Sequence, residues 1–195
     1  MDLEKAREFI LEELRIRLEP DLYYHGLHHT RDVVQAAMEI ADLEKITDRE
    51  SLQMLETAAL YHDSGFMNVY KGHEEEGCRI AREVLRDFDY SNTQIETICG
   101  MILATKVPQN PRNHLERIIC DADLDYLGRS DFHAVSATLF EELKAREMIT
   151  EKAEWNRIQV SFFESHFYWN KSQRERRDDL KAAHLASIRR ILSDN

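Results

Sequence analysis

Proline and glycine are scarce. Three of one and six of the other in 195 residues are too few for a chain that must reverse every few residues, which excludes an all-β sandwich or barrel. Cysteine is as sparse: Cys78, Cys99 and Cys120 are odd in number, form no C-x-x-C pair and each sit in an apolar-rich segment. They read as reduced core thiols, not as a disulfide frame. No apolar run reaches the ~18 to 20 residues of a membrane span, and the start, Met1-Asp2-Leu3-Glu4-Lys5, has no signal-peptide pattern, so a cytoplasmic location is expected. Positive charge is short too, 26 Lys+Arg against 37 Asp+Glu leaving −11. So large a surplus of acid argues against nucleic-acid partners and anionic membrane surfaces. Any phosphorylated substrate then needs local help from a metal ion or a few placed cations.

What the sequence has in quantity is helical periodicity. Leu3, Ala6, Phe9, Ile10 and Leu14 make a first stripe that stops at Pro20, and Val33 to Ala41 make a second. Asp48 is the expected N-cap of a third helix running to about Tyr61, and Ser91 or Asn92 that of a fifth through Ile102. Cys78, Ile80, Ala81 and Val84 lie on the fourth; Leu115, Ile118 and Ile119 on a short sixth. A helix follows Asp131, the aromatic stretch Trp155 to Trp169 reads as core, and the last helix is expected over Asp178 to Leu192, with Arg174-Glu175-Arg176-Arg177 as its solvated start. No segment alternates with period two for long enough to be a strand. The expected fold is all-α, one domain over 1–195, with a motif-bearing core at about 23–128 and C-terminal helices over 131–193 packed on it.

The nine histidines are unevenly spread. Three lie in Tyr24-His25-Gly26-Leu27-His28-His29-Thr30, at the start of the second helix; another ends the third, in His62-Asp63-Ser64-Gly65; and Asp121-Ala122-Asp123-Leu124-Asp125 closes the short apolar helix. A His-Asp dipeptide alone is expected about once by chance in such a chain. The ordered set carries more. His29, His62, Asp63 and Asp123 supply two imidazoles and two carboxylates, a donor set suited to Mn²⁺, Fe²⁺, Ni²⁺, Co²⁺, Mg²⁺ or Zn²⁺ with positions left for water and substrate.

In order and context these residues resemble the H…HD…D signature of the HD-domain metal-dependent phosphohydrolases, an all-α superfamily. His-Asp-Ser-Gly at 62–65 is similar to its HDIG element and Ala122-Asp123-Leu124 to its closing Ala-Asp motif. The resemblance implies a single HD-type helical bundle that uses a divalent ion to hydrolyse a small phosphomonoester or phosphodiester, most often a nucleotide. It selects Asp123 as the last ligand and leaves Asp121 and Asp125 as supporting or surface acids. By analogy with related cyclic-nucleotide phosphodiesterases it implies that His25, four residues before the first ligand, protonates the leaving oxygen. His73 matches the first of two extra histidines that hold a second ion in some members, but Ala104-Thr105-Lys106 stands where the other is expected. Lys106 and Arg129 are the cations expected to meet phosphoryl charge. The same residues would also serve a metal- and nucleotide-binding module without turnover, or a metal-dependent oxygenase, which the missing second histidine disfavours.

Overall fold

The structure is a computed structural model and describes residues 1–194. Among these residues there are nine α-helices and no strand. They are α1 (Leu3–Arg17), α2 (Leu27–Leu43), α3 (Arg49–Tyr61), α4 (His73–Val84), α5 (Asn92–Ala104), α6 (His114–Asp123), α7 (Phe132–Ala145), α8 (Lys152–Ser165) and α9 (Lys171–Ser193). Short 3₁₀ turns fill Ser64–Met67, Leu85–Phe88 and Asp125–Gly128.

Local chemistry starts several helices where the sequence suggests. The Asp48 carboxylate accepts the Ser51 N–H at 2.8 Å to open α3. Ser91 and Gln94 form a reciprocal capping box at α5, and Asn113 caps α6 through the Glu116 N–H at 3.0 Å. Each such cap contributes about 1 kcal/mol. Helices α1 to α6 surround a core containing Ile10, Leu14, Leu55, Ile98, Ile102, Ile118 and Ile119. Cys78, Cys99 and Cys120 are buried and free. The short connection between α2 and α3 turns the chain back on itself, and Ala37 and Ala41 of α2 and Ala58 and Ala59 of α3 keep the buried faces small. The first turn of α2 thereby meets the last turn of α3.

A second cluster, with Tyr24, Leu127, Phe132, Phe163 and Ile188, joins the 125–128 turn to α7, α8 and α9. Here the sequence expectation needs correcting. Helix α9 begins at Lys171, about two turns before Asp178, and its arginine run is not simply solvated. Arg177 holds Asp125 at 2.7 and 2.9 Å, Arg176 reaches Glu39 at 3.2 Å, and Arg174 donates to the carbonyls of Tyr168 and Trp169 at 3.0 and 2.7 Å. Apolar periodicity does not register a helix start held by ion pairs. Asp121 is fully buried and accepts the Trp169 N–H at 2.7 Å and both the Asn170 N–H and Nδ2 at 2.8 Å. Burial pushes its carboxyl up to about 6, against those donors. At Gly128 a Cβ would lie 2.5 Å from the Arg177 carbonyl oxygen, so turn and helix touch backbone to backbone. Among the described residues no helix is long and apolar enough to cross a membrane.

Candidate metal centre

Three helix ends converge. His29 stands in the first turn of α2, His62 caps the end of α3, and Asp123 is the last residue of α6. One donor atom from each lies within 4.8 Å of the others. The two Nε2 atoms are 3.4 Å apart, and Asp123 Oδ1 is 3.1 Å from His29 Nε2 and 3.6 Å from His62 Nε2. Asp63 is outside this tight trio yet beside both rings, its Oδ2 3.2 Å from His62 Nε2 and 3.5 Å from His29 Nε2. On the far side of its ring, His62 Nδ1 is 2.8 Å from the Ala59 carbonyl. Nδ1 is therefore the protonated nitrogen, and the Nε2 lone pair faces the cluster.

The donor set fits a divalent cation on two counts. Asp63 Oδ2 is buried without a hydrogen-bond partner, which is costly for a carboxylate unless a positive charge faces it. Burial would also raise the carboxyl groups of Asp63 and Asp123, but the imidazoles of His62 and His29 outweigh it and hold both below the ordinary range. Burial likewise disfavours charge on His62, and the two aspartates overcome that to pull its proton affinity well up. Acids of this kind favour a cation, whether proton or metal.

Asp63 and Asp123 line a cavity of about 460 Å³. His25 lines it, and its Nδ1 lies 2.5 Å from Glu142 Oε1. Glu142, on α7, is wholly buried. Its other oxygen accepts the Tyr24 and His25 backbone N–H groups at 2.8 and 3.0 Å, and Tyr70 OH donates to Oε1 at 2.9 Å. Burial would raise this carboxyl too, but the bonds from His25 and the backbone hold it below its usual value. The sequence reading missed Glu142. The available signal was an acid three residues after Leu139, on the apolar face of its helix.

Phe66 is sandwiched between His25 and His73, with ring centroids 4.3 and 3.9 Å away. His73 Nε2 lies 3.6 Å from Asp63 Oδ1, while its Nδ1 faces the Tyr70 carbonyl at 3.1 Å. Gly65 permits this: a Cβ there would come 2.0 Å from the His73 carbonyl oxygen.

The two expected cations have different positions. Lys106 is at the cavity wall, half exposed and paired with Glu75. Arg129 does not line the cavity. It binds Asp32 at 2.7 and 2.8 Å and Asp131 at 2.9 and 2.6 Å, neutralised there as a tie between α2 and the start of α7. The aromatic stretch is only partly interior, since Trp155 and Phe163 are buried but Phe162 is not, and all three line the cavity. Phe167 is 53% exposed.

The HD domain family matches residues 26–125, just over half of the chain. No curated protein matches the sequence. Among solved structures, a predicted HD superfamily hydrolase from an uncultured Thermotogales bacterium aligns with a TM-score of 0.63 at 21% identity, over 98% of this chain and 91% of its own. A protein from Lactobacillus plantarum aligns with a TM-score of 0.69 at 14% identity, over 99% and 94%. At those identities the likeness is one of fold. The family match spans His29, His62, Asp63 and Asp123, whose side chains lie together, and the chain belongs to the HD-domain family.

Proposed function

We propose that the chain is a metal-dependent phosphohydrolase acting on a small phosphate ester. The observation that carries this reading is the His29, His62 and Asp123 cluster, with the unpartnered Asp63 oxygen beside it, at a cavity that Asp63, Asp123 and His25 line. The description of the Thermotogales neighbour as a predicted hydrolase supports it.

His29, His62, Asp63 and Asp123 would hold the ion. A divalent ion bound there would lower the pKa of the attacking water and draw charge from a phosphoryl oxygen. The buried carboxylates can accept a proton from the attacking water. His25, with Nδ1 directed at Glu142, keeps Nε2 for the leaving oxygen, the geometry of a base or acid oriented by a carboxylate. Phe66 and Tyr70 fix the plane of that ring. Lys106, on the cavity wall, is the candidate to neutralise the remaining phosphoryl charge.

The test is turnover of a phosphoester panel by chelator-stripped protein reloaded with Mn²⁺, Mg²⁺, Ni²⁺ or Zn²⁺. Hydrolysis should need the metal and be lost in Asp63→Ala and His62→Ala. Metal-loaded protein that binds phosphate esters without cleaving any would mean a binding module instead.

A further inference from the structure

The cavity wall has two chemically different parts. One is acidic and carries Asp63 and Asp123 of the metal centre. The other is formed by the 125–128 turn, α7 and α8, and presents Leu127, Phe132, Leu139, Trp155, Phe162 and Phe163. Most of its surface is hydrocarbon. Its amide, Gln159, is directed at the protein: Oε1 accepts from Ser136 Oγ at 2.6 Å, and Nε2 donates to Asn156 Oδ1 at 3.2 Å. A nucleotide, the substrate class implied by the family resemblance, asks more of such a wall. Its base edge and ribose hydroxyls would leave water for a surface that offers one unpartnered donor, the buried Trp155 Nε1–H, in place of several hydrogen bonds.

Charge points the same way. The cationic side chains on the cavity wall are Lys71 and Lys106, and Lys106 is already paired with Glu75. Asp63, Glu74 and Asp123 oppose them. Arg129, the other expected cation, is held by Asp32 and Asp131 away from the cavity. A divalent ion would balance Asp63 and Asp123, leaving Lys71 and the paired Lys106 as the positive charge on the wall for a second or third phosphate.

We infer that the substrate is a phosphomonoester of an apolar alcohol, aliphatic or aromatic, with the phosphoryl group at the metal centre and the organic group against α7 and α8, and that nucleoside polyphosphates are poor substrates. This rests on the phosphohydrolase reading and narrows it.

The test uses Mn²⁺-loaded full-length protein and a series of ethyl, butyl and hexyl phosphate, whose leaving groups are alike, so that differences report on the organic group. 5′-AMP and ATP are the comparisons. Burial of each methylene predicts a rise in kcat/KM of about fourfold, on the order of 10² from ethyl to hexyl. Phe162→Ala and Leu139→Ser should lower the hexyl-to-ethyl ratio. A flat series, or AMP or ATP cleaved as well as hexyl phosphate, would overturn the inference while leaving the hydrolase reading intact. If no ester is cleaved, the hydrolase reading fails, and calorimetry with ethyl- and hexylphosphonate decides the rest. Tighter binding of the hexyl compound keeps the apolar ligand, and equal or absent binding removes it.

Discussion

Glu142→Gln removes a charge from the interior without changing the volume of the side chain. The remaining amide oxygen can still accept the Tyr24 and His25 N–H groups. The new NH₂ faces His25 Nδ1 and Tyr70 OH, where an acceptor had stood. Two hydrogen bonds to a charged acceptor are lost, worth about 1.5 to 3 kcal/mol each. His25 can recover part of this by switching tautomer and accepting from the amide, leaving a net cost of about 2 to 4 kcal/mol. For a chain of this size each kcal/mol lowers Tm by about 2 to 4 °C, so the variant should melt roughly 4 to 16 °C below wild type near neutral pH. The gap should depend on pH. The folded carboxyl lies below its ordinary value near 4.5, so its contribution is complete above that pH and fades as pH falls below it. Turnover should fall further than stability explains, by ~10² to 10⁴, because a carboxamide cannot balance the imidazolium that donates the proton. The loss should be larger for ethyl phosphate than for p-nitrophenyl phosphate, whose leaving group hardly needs protonation. Calorimetric melting at pH 7 and pH 4 with steady-state kinetics on both esters tests this. Wild-type melting together with equal losses on the two substrates would refute the dyad.

Elemental analysis should find close to one transition ion per chain, most of it gone in Asp63→Ala and His62→Ala; with free metal at a hundred times Kd, chelation should cost about 2.7 kcal/mol, seen as a lower Tm. Gly65→Ala forces a Cβ into the His73 carbonyl, and a drop of about 1 to 3 kcal/mol should accompany a changed metal affinity; a neutral substitution would mean that α4 can shift freely. Arg177→Ala leaves Asp125 with Arg129 at 3.6 Å as its nearest remaining cation and should cost about 3 kcal/mol, with metal content retained, by chemical denaturation and elemental analysis. Lys106→Gln should leave the melting curve almost unchanged, as expected for an exposed pair, while lowering turnover; unaltered kinetics would remove it from the site.

The His29, His62 and Asp123 cluster could be read from the sequence because each member marks a helix end, and helix ends are set by local rules. Asp48 and Ser91 cap α3 and α5 through neighbours three residues away, so those boundaries could be read in place. Glu142 could be read only as an acid on an apolar face; its partner His25 lies 117 positions off, and nothing near either residue names the other. Arg129 and Lys106 illustrate the same limit from the other side. A basic residue next to a motif looks free until Asp32 and Glu75 arrive from distant helices. The outer acids of Asp121-Ala122-Asp123-Leu124-Asp125 looked like supporting or surface charge, and only the packing of α9 reveals the donors they serve.

Those two acids bear on where the protein can be cut. A fragment covering 26–125, the segment matched by the family, contains all four proposed ligands yet lacks every donor that α9 and the residues just before it offer to Asp121 and Asp125. It also lacks both His25 and Glu142, the hydrogen-bonded pair beside the cluster. In such a fragment Asp121 and Asp125, on either side of Asp123, would lose the donors that fix them in place. The limits of recognisable similarity are therefore not the limits of a foldable unit, and expression trials or domain grafts should carry the chain through α9.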